Sequence, residues 1–455
     1  MKALEYQGLW WLPETPDKKY SGTLRCSETG ELRLALMGAL VDRSAFLSGE
    51  ETTIIHGEVF DSKIGSNVTL RDCFVTNVSG IVGARITRQE FFAHRAFFGA
   101  HLSSSTDFEF DSARISYSGL NSWADSLTGF DKSPPDPWTI SFKHPEPLSG
   151  TIPGGWFTLG LACSSGGTRR EHQLAEKAGL SLSFAQPVGD SVLQNDFVYP
   201  LQNLFTFATN HPNSLAELVV TRAGNCLENI TVIGPHVFSD DSLAADLLPW
   251  QMLFALSDVA NRLEQVISRW LEISHRFRQA AAVYFGTQYD PPGYLDLRFP
   301  LVVQALSLYH ACRNKCSASI RADDILASVQ RECPENAQAL RQLLGSHPLV
   351  MAERALRDLT GENEKVLAPL VARTGGLEKF VDTSLGMLEY VLSRSAESQW
   401  SDSFGREVYW LTERVSFLLK ICFLNEIGII ESEQETILQR NERYRFLRDE
   451  AANKG

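Results

Sequence analysis

Four residues come closest to a metal-binding set: His310, Cys312, Cys316 and Cys333. Cys312 and Cys316 lie one helical turn apart and could share a metal, but His310 faces elsewhere on the same helix. No CxxC pair occurs anywhere. Buried small thiols on a bundle helix are the commoner use of such residues. No metal or cofactor is expected. The run GLACSSGGTRR (160–170) puts Gly and Ser before two arginines, a composition that can cradle phosphate. It lacks GxxxxGK[ST], GxGxxG and GxSxG, so a surface hairpin loop is the plainer expectation. RNERYRFLRDE (440–450) surrounds Tyr444 and Phe446 with Arg440, Arg443, Arg445 and Arg448. Basic residues among aromatics can grip RNA. Glu442, Asp449 and Glu450 dilute the charge towards an ordinary solvated helix. Aromatics crowd GLWWLPETP (8–16) and EFFAHRAFFGAHL (90–102). Most must be core, and some could line a recognition pocket. His94 and His101 beside them are expected as satisfied histidines rather than catalysts.

The elements that position these residues change character along the chain. The first half alternates. Leu32, Leu34 and Leu36 share one face of ELRLALMG, opposite Arg33, Ala35 and Met37. KYSGTLRC (19–26), TTIIHGEVF (52–60), NVTLRDCFV (67–75), FEFDSARISY (108–117), WFTLGLAC (156–163), LSLSFAQ (180–186), ELVVTR (217–222) and NITVIG (229–234) are further short runs. Gly, Ser, Pro and Asp clusters separate them. This predicts an antiparallel sandwich or barrel with few helices. From Pro249 the period lengthens, with Leu253, Leu256, Leu263, Ile267 and Leu271 in step, and later Val408, Leu411, Val415, Leu418 and Cys422. That predicts long helices in a bundle. The change falls near SDDSLAAD (239–246), giving an α+β chain with a β-rich domain over 1–240 and an all-α domain over 247–455.

The 455 residues are 44% hydrophobic and 21% charged, ample for cores without disulfide or metal. A net charge of -13 repels polyanions and excludes a general nucleic-acid coat. The opening MKALEY has no apolar h-region, and no run of about 18 apolar residues exists, so neither signal peptide nor membrane span is expected. Eight scattered Cys suit a reducing cytoplasm. The sequons at Asn67, Asn77 and Asn229 are then chance.

GLWWLPETP, SGTLRCSETGELRLALMG, IIHGEVF, NVTLRDC and FFGAHL resemble, in order and spacing, the N-terminal domain of ApeA-type bacterial anti-phage defence proteins. The similarity holds over roughly the first 125 residues. Those proteins end in an all-helical HEPN domain. FPLVVQALSLYHACRN (299–314), AERALRDLTGENEKVLAPLV (352–371) and LEKFVDTSLGMLEY (377–390) are similar to its helices, in the expected order. The resemblance implies a metal-independent ribonuclease fold whose motif is Arg, four to six residues, then His, often within VDTRN-x3-H. There His is acid or base on the 2′-hydroxyl, and Arg stabilises charge on the phosphorane. It also implies abortive-infection defence and a homodimer or higher oligomer, with RNA and a phage-derived trigger or partner protein as ligands.

Here the motif departs. Val381, Asp382 and Thr383 match the lead-in, but Ser384 stands for Arg, Leu385 for Asn and Glu389 for His. Glu is a weak base at neutral pH unless burial raises its pKa, and Ser supplies no cation. The reading favoured is a nuclease helix without its nuclease groups, in a protein that senses or scaffolds. The alternative is an active endoribonuclease acting on tRNA or other RNA with a relocated pair. Arg88…His94, Arg269…His275 and Arg341…His347 all fit the loose spacing. Arg269 and His275 lie on a plausible helix. Arg394, Arg406 and Arg414 could hold RNA phosphate, though surface charge or ion pairing is their commoner use.

Overall fold

The computed structural model describes residues 4–41, 52–60, 63–80, 87–128, 145–168, 171–222, 229–235, 247–314, 348–372, 375–393 and 402–450. The chain divides into two compact units. One holds residues 1–206 and 211–247, and the other holds 207–210 and 248–455.

The first unit contains one twelve-stranded antiparallel sheet. Its strands are β1 (Leu4–Trp11), β2 (Tyr20–Cys26), β3 (Leu32–Met37), β4 (Thr52–Val59), β5 (Asn67–Gly80), β6 (Thr87–Phe98), β7 (Glu109–Tyr117), β8 (Leu148–Ile152), β9 (Gly155–Thr168), β10 (Glu171–Gly189), β11 (Leu215–Thr221) and β12 (Asn229–Ile233). The first six close on themselves in the order β1-β2-β3-β6-β5-β4 and back to β1. Closure removes the free edges that an open sheet leaves. Alternation fills the barrel: Leu32, Leu34 and Leu36 meet Trp10, Leu24, Ile55, Leu70, Phe91 and Phe98 inside. Of the antiparallel sandwich or barrel expected from the alternation, the barrel is what forms.

β6 has two roles. Its Arg88–Ala93 stretch pairs with β3 to close the barrel, and Ala96–Phe98 pairs with β12 on the same side. The sheet then runs on through β11, β7, β10, β9 and β8. The Gly/Ser-rich run 160–170 lies in the β9–β10 hairpin, whose register runs from Gly155↔Phe184 to Thr168↔Glu171. A helix, α1 (Tyr199–Thr209), follows β10. Its last turn, from Phe207, belongs to the second unit.

The second unit is helical: α2 (Leu263–Arg276), α3 (Arg278–Tyr289), α4 (Leu295–Arg313), α5 (Pro348–Glu362), α6 (Glu364–Val371), α7 (Leu377–Ser393), α8 (Asp402–Glu426), α9 (Glu431–Arg440) and α10 (Glu442–Glu450). The sequence predicted one buried stripe on α8. Every residue from Leu411 to Leu424 is buried, so α8 is central. Its polar residues find partners inside. Thr412 bonds the Val408 carbonyl at 2.7 Å, and Glu413 takes Arg443 at 3.1 Å. No helix among the described residues is long and apolar enough to cross a membrane.

Candidate functional site

The stretch 381–389, compared above with the Arg…His motif, lies on α7, which packs on the bundle through Phe380, Val381 and Leu388. Ser384 joins that buried face. It is 0% exposed, and its Oγ has no hydrogen-bond partner. Glu389 is exposed. Five residues along a helix turn the side chain by about 140°, and the two positions do not converge. The lead-in residues serve the helix. Asp382 accepts Arg357 from α5 at 3.2 Å, and Thr383 bonds the Lys379 carbonyl at 2.7 Å.

The alternative Arg…His candidates, Arg269 and His275, sit on α2. Both are exposed. Their six-residue separation places them about 120° apart around the axis. Arg269 lies against the Gly428 turn, where an added Cβ would come 2.5 Å from its Nη1. It also reaches the Gln265 side-chain oxygen at 3.1 Å, one turn back, with that amide suitably oriented. Arg406 on α8 is exposed. Arg414 is 7% exposed, and its Nε donates to the Leu370 carbonyl at 2.9 Å. That bond satisfies a carbonyl at the end of α6 and commits the guanidinium to the bundle. Arg394, Arg341 and His347 lie outside the described residues, as do Cys316 and Cys333.

His310 Nε2 is 2.8 Å from Asp358, and no group of three metal-binding side chains occurs among the described residues. The arginines of the C-terminal run are mostly paired. Arg440 holds Asp258 with two nitrogens, Arg443 holds Glu413, and Arg448 holds Asp449. Tyr444 is buried, with its hydroxyl on the Val366 carbonyl at 2.8 Å.

The N-terminal pieces behind the resemblance meet in space. Trp11 of β1 stands edge-on to His101 at 5.1 Å, and His101 stacks on His56 of β4 at 4.7 Å. Lys19 Nζ lies 4.1 Å from the Trp11 ring centre. His56 Nε2 is 3.0 Å from the Leu102 carbonyl, and His101 Nε2 is 2.9 Å from the Gly57 carbonyl. Facing a carbonyl, each nitrogen must donate. Burial lowers the His56 pKa despite the Leu102 carbonyl, and His101 adds to the lowering. The arrangement is a stacked pair of rings, each held by a backbone carbonyl, as the sequence suggested for His101. His94 differs: it is exposed.

Sequence reasoning missed the charge clusters. Asp190 accepts Arg71 and Arg95, 119 and 95 positions away. Glu413 collects Arg298 and Arg443. No local spacing could reveal such partners; only the fold brings them together.

The fold and these sites define an α+β protein with a closed antiparallel barrel extended into a larger sheet, followed by a helical unit. The family model described as ApeA N-terminal domain 1 matches residues 5–270, more than half of the chain. The chain belongs to the ApeA N-terminal-domain family, an assignment consistent with anti-phage defence. The matched region continues past the first unit into α2. No curated protein and no solved structure matches the chain significantly.

Proposed function

We propose that this is a phage-defence protein whose helical unit is a HEPN-like bundle that has lost its nuclease pair and acts as an RNA- or partner-binding sensor or scaffold. The family assignment supports the defence role. The observation that carries the mechanism is the placement of Ser384. A side chain with no exposure, on the packed face of α7, lies where no phosphodiester can reach it. Glu389, on another face, supplies neither a cation nor an imidazole. Losing a single donor to developing charge costs about 10²–10³ in rate, and here both roles are vacant. Exposed Arg406 at the start of α8 is the phosphate contact of this reading.

The test uses the purified full chain and total tRNA without added metal. Intact RNA is expected at high protein concentration, together with a mobility shift that weakens severalfold in Arg406→Ala. The appearance of 2′,3′-cyclic phosphate ends would replace this reading by an active endoribonuclease. The Arg269→Ala and His275→Ala variants would then decide whether that pair is responsible.

A further inference from the structure

Phe446 on α10 is 52% exposed. One exposed ring by itself says little. This one belongs to a fixed stack. Trp410 of α8 lies 5.4 Å from it, tilted by 42°, and Tyr409 stands edge-on to Trp410 at 5.1 Å. The Arg443 guanidinium lies over the Tyr409 ring at 5.1 Å and over the Phe446 ring at 5.9 Å. It donates to the Tyr409 hydroxyl and, at 3.1 Å, to Glu413. Those bonds hold the guanidinium in place. Phe446 is thus backed by Trp410 and Arg443 and open on its outer side.

Two cations stand beside this platform. Arg406 precedes Trp410 by four residues, so the two are neighbours on one face of α8, about 6 Å apart at Cβ. Arg445 adjoins Phe446 in the chain. Both arginines are exposed, and neither makes an ion pair among the described residues. Acids limit what these charges can do. Glu442 and Asp449 lie one turn before and one turn after Phe446 on α10, and Arg448 holds Asp449 at 2.9 Å. A long run of phosphates is repelled at such a surface, so bases rather than backbone must supply most of the attraction.

We infer that the α8–α10 face binds single-stranded RNA, with an unpaired base stacked on the outer side of Phe446 and the adjoining phosphate on Arg406. Every base has a π-face, so the contact tolerates any sequence. It does not tolerate pairing, because neighbouring base pairs cover the base faces in a duplex. A proud ring backed by a guanidinium offers a flat face, which suits a base. An apolar anchor from a protein partner is held best in a pocket. The platform rests on the RNA-binding reading above and narrows it to unpaired RNA.

Fluorescence anisotropy of the full chain is measured with labelled octaadenylate, with an abasic oligomer of the same length and phosphate count, and with a blunt RNA duplex of that length. Octaadenylate should bind at least fivefold tighter than either. Phe446→Ala should remove that advantage, and Phe446→Trp should retain it; the side chain lies at the surface, so both variants keep the core intact. Arg406→Ala should weaken octaadenylate and the abasic oligomer alike and flatten the salt dependence. Equal binding of octaadenylate and the abasic oligomer, tighter binding of the duplex, or an advantage that survives Phe446→Ala would each overturn the inference, while the RNA-binding reading would stand on phosphate contacts alone. Binding of none of the three removes both and leaves the exposed ring to a protein partner.

Discussion

Ser384 is a hydroxyl held away from water with nothing to bond. A desolvated, unpartnered hydroxyl costs about 1–3 kcal/mol, while Ala at the same helical position costs nothing in propensity. Ser384→Ala should therefore stabilise the protein by about 1 kcal/mol in a denaturant titration. A loss of more than that amount would mean that Oγ has a partner. Ser384→Arg places an unpaired cation in the same spot and should destabilise by about 3 kcal/mol or more. Placing Arg at 384 and His at 389, the pair of the proposed HEPN-like motif, is expected to leave RNA uncut for that reason. His56 gives a pH dependence of opposite origin. Its pKa is lowered in the folded barrel, so the unfolded chain binds the proton more readily. The stability that neutral His56 provides is fully present above its unfolded pKa, near 6.5, and falls as pH drops through that value towards the folded pKa. Thermal unfolding of the native protein should therefore weaken more between pH 7.5 and pH 5.5 than that of His56→Gln. Equal losses would show that His56 is not the group responsible.

At the scale of elements, β1 and β4 depend on each other through a missing side chain. Trp10 pairs with Gly57 across the two strands, and a Cβ at Gly57 would come within 2.3 Å of the indole ring. Trp10 is 0% exposed inside the closed barrel and has no room to retreat. Gly57→Ala should cost about 1–3 kcal/mol by overpacking, read as a lower denaturation midpoint. An unchanged midpoint would mean that the barrel opens at this seam. The alternation that made β3 legible also explains what was not. Leu32, Leu34 and Leu36 alternate with outward residues because β3 has one wet face. β6 does not alternate at its end. Phe98 fills the barrel, while Phe97 packs on Phe108 and Phe110 on the other side. A strand buried on both faces reads as an aromatic run, so the sequence marked it as core without assigning a strand. α1 was hidden similarly: a largely buried helix within a β-rich half has no polar face to set its period. On α8 the apolar stripe was legible. The burial of Arg414 and Lys420 was not, because their partners, Leu370 and Asn210, come from distant parts of the chain.

The second unit as a whole is completed by a piece of chain far from the rest of it. Phe207 stacks on Trp270 at 5.3 Å and meets Phe254 and Phe423 edge-on. Asn210, 210 positions before Lys420, accepts its ammonium at 2.5 Å. A boundary at residue 247, the natural reading of the sequence, would leave both behind. Lys420 is 5% exposed, lies 4.6 Å from the Phe417 ring centre, and has its pKa lowered to about 8 by burial, with Arg298 adding to the lowering and Glu413 opposing it. The unfolded chain binds this proton more tightly than the folded one does. The resulting penalty is full below pH 8 and is relieved as pH rises through the folded value towards the unfolded one, near 10.4. Lys420→Met removes the buried charge and keeps most of the volume. It should raise the unfolding midpoint of the full chain at pH 7, with a smaller gain at pH 9.5. The fragment 248–455, which lacks Phe207 and Asn210, should unfold at lower temperature than a fragment that begins at residue 199. If Lys420→Met destabilises at pH 7, the Asn210 bond outweighs desolvation, and the ammonium is a fastening that the unit needs rather than a strain that it carries.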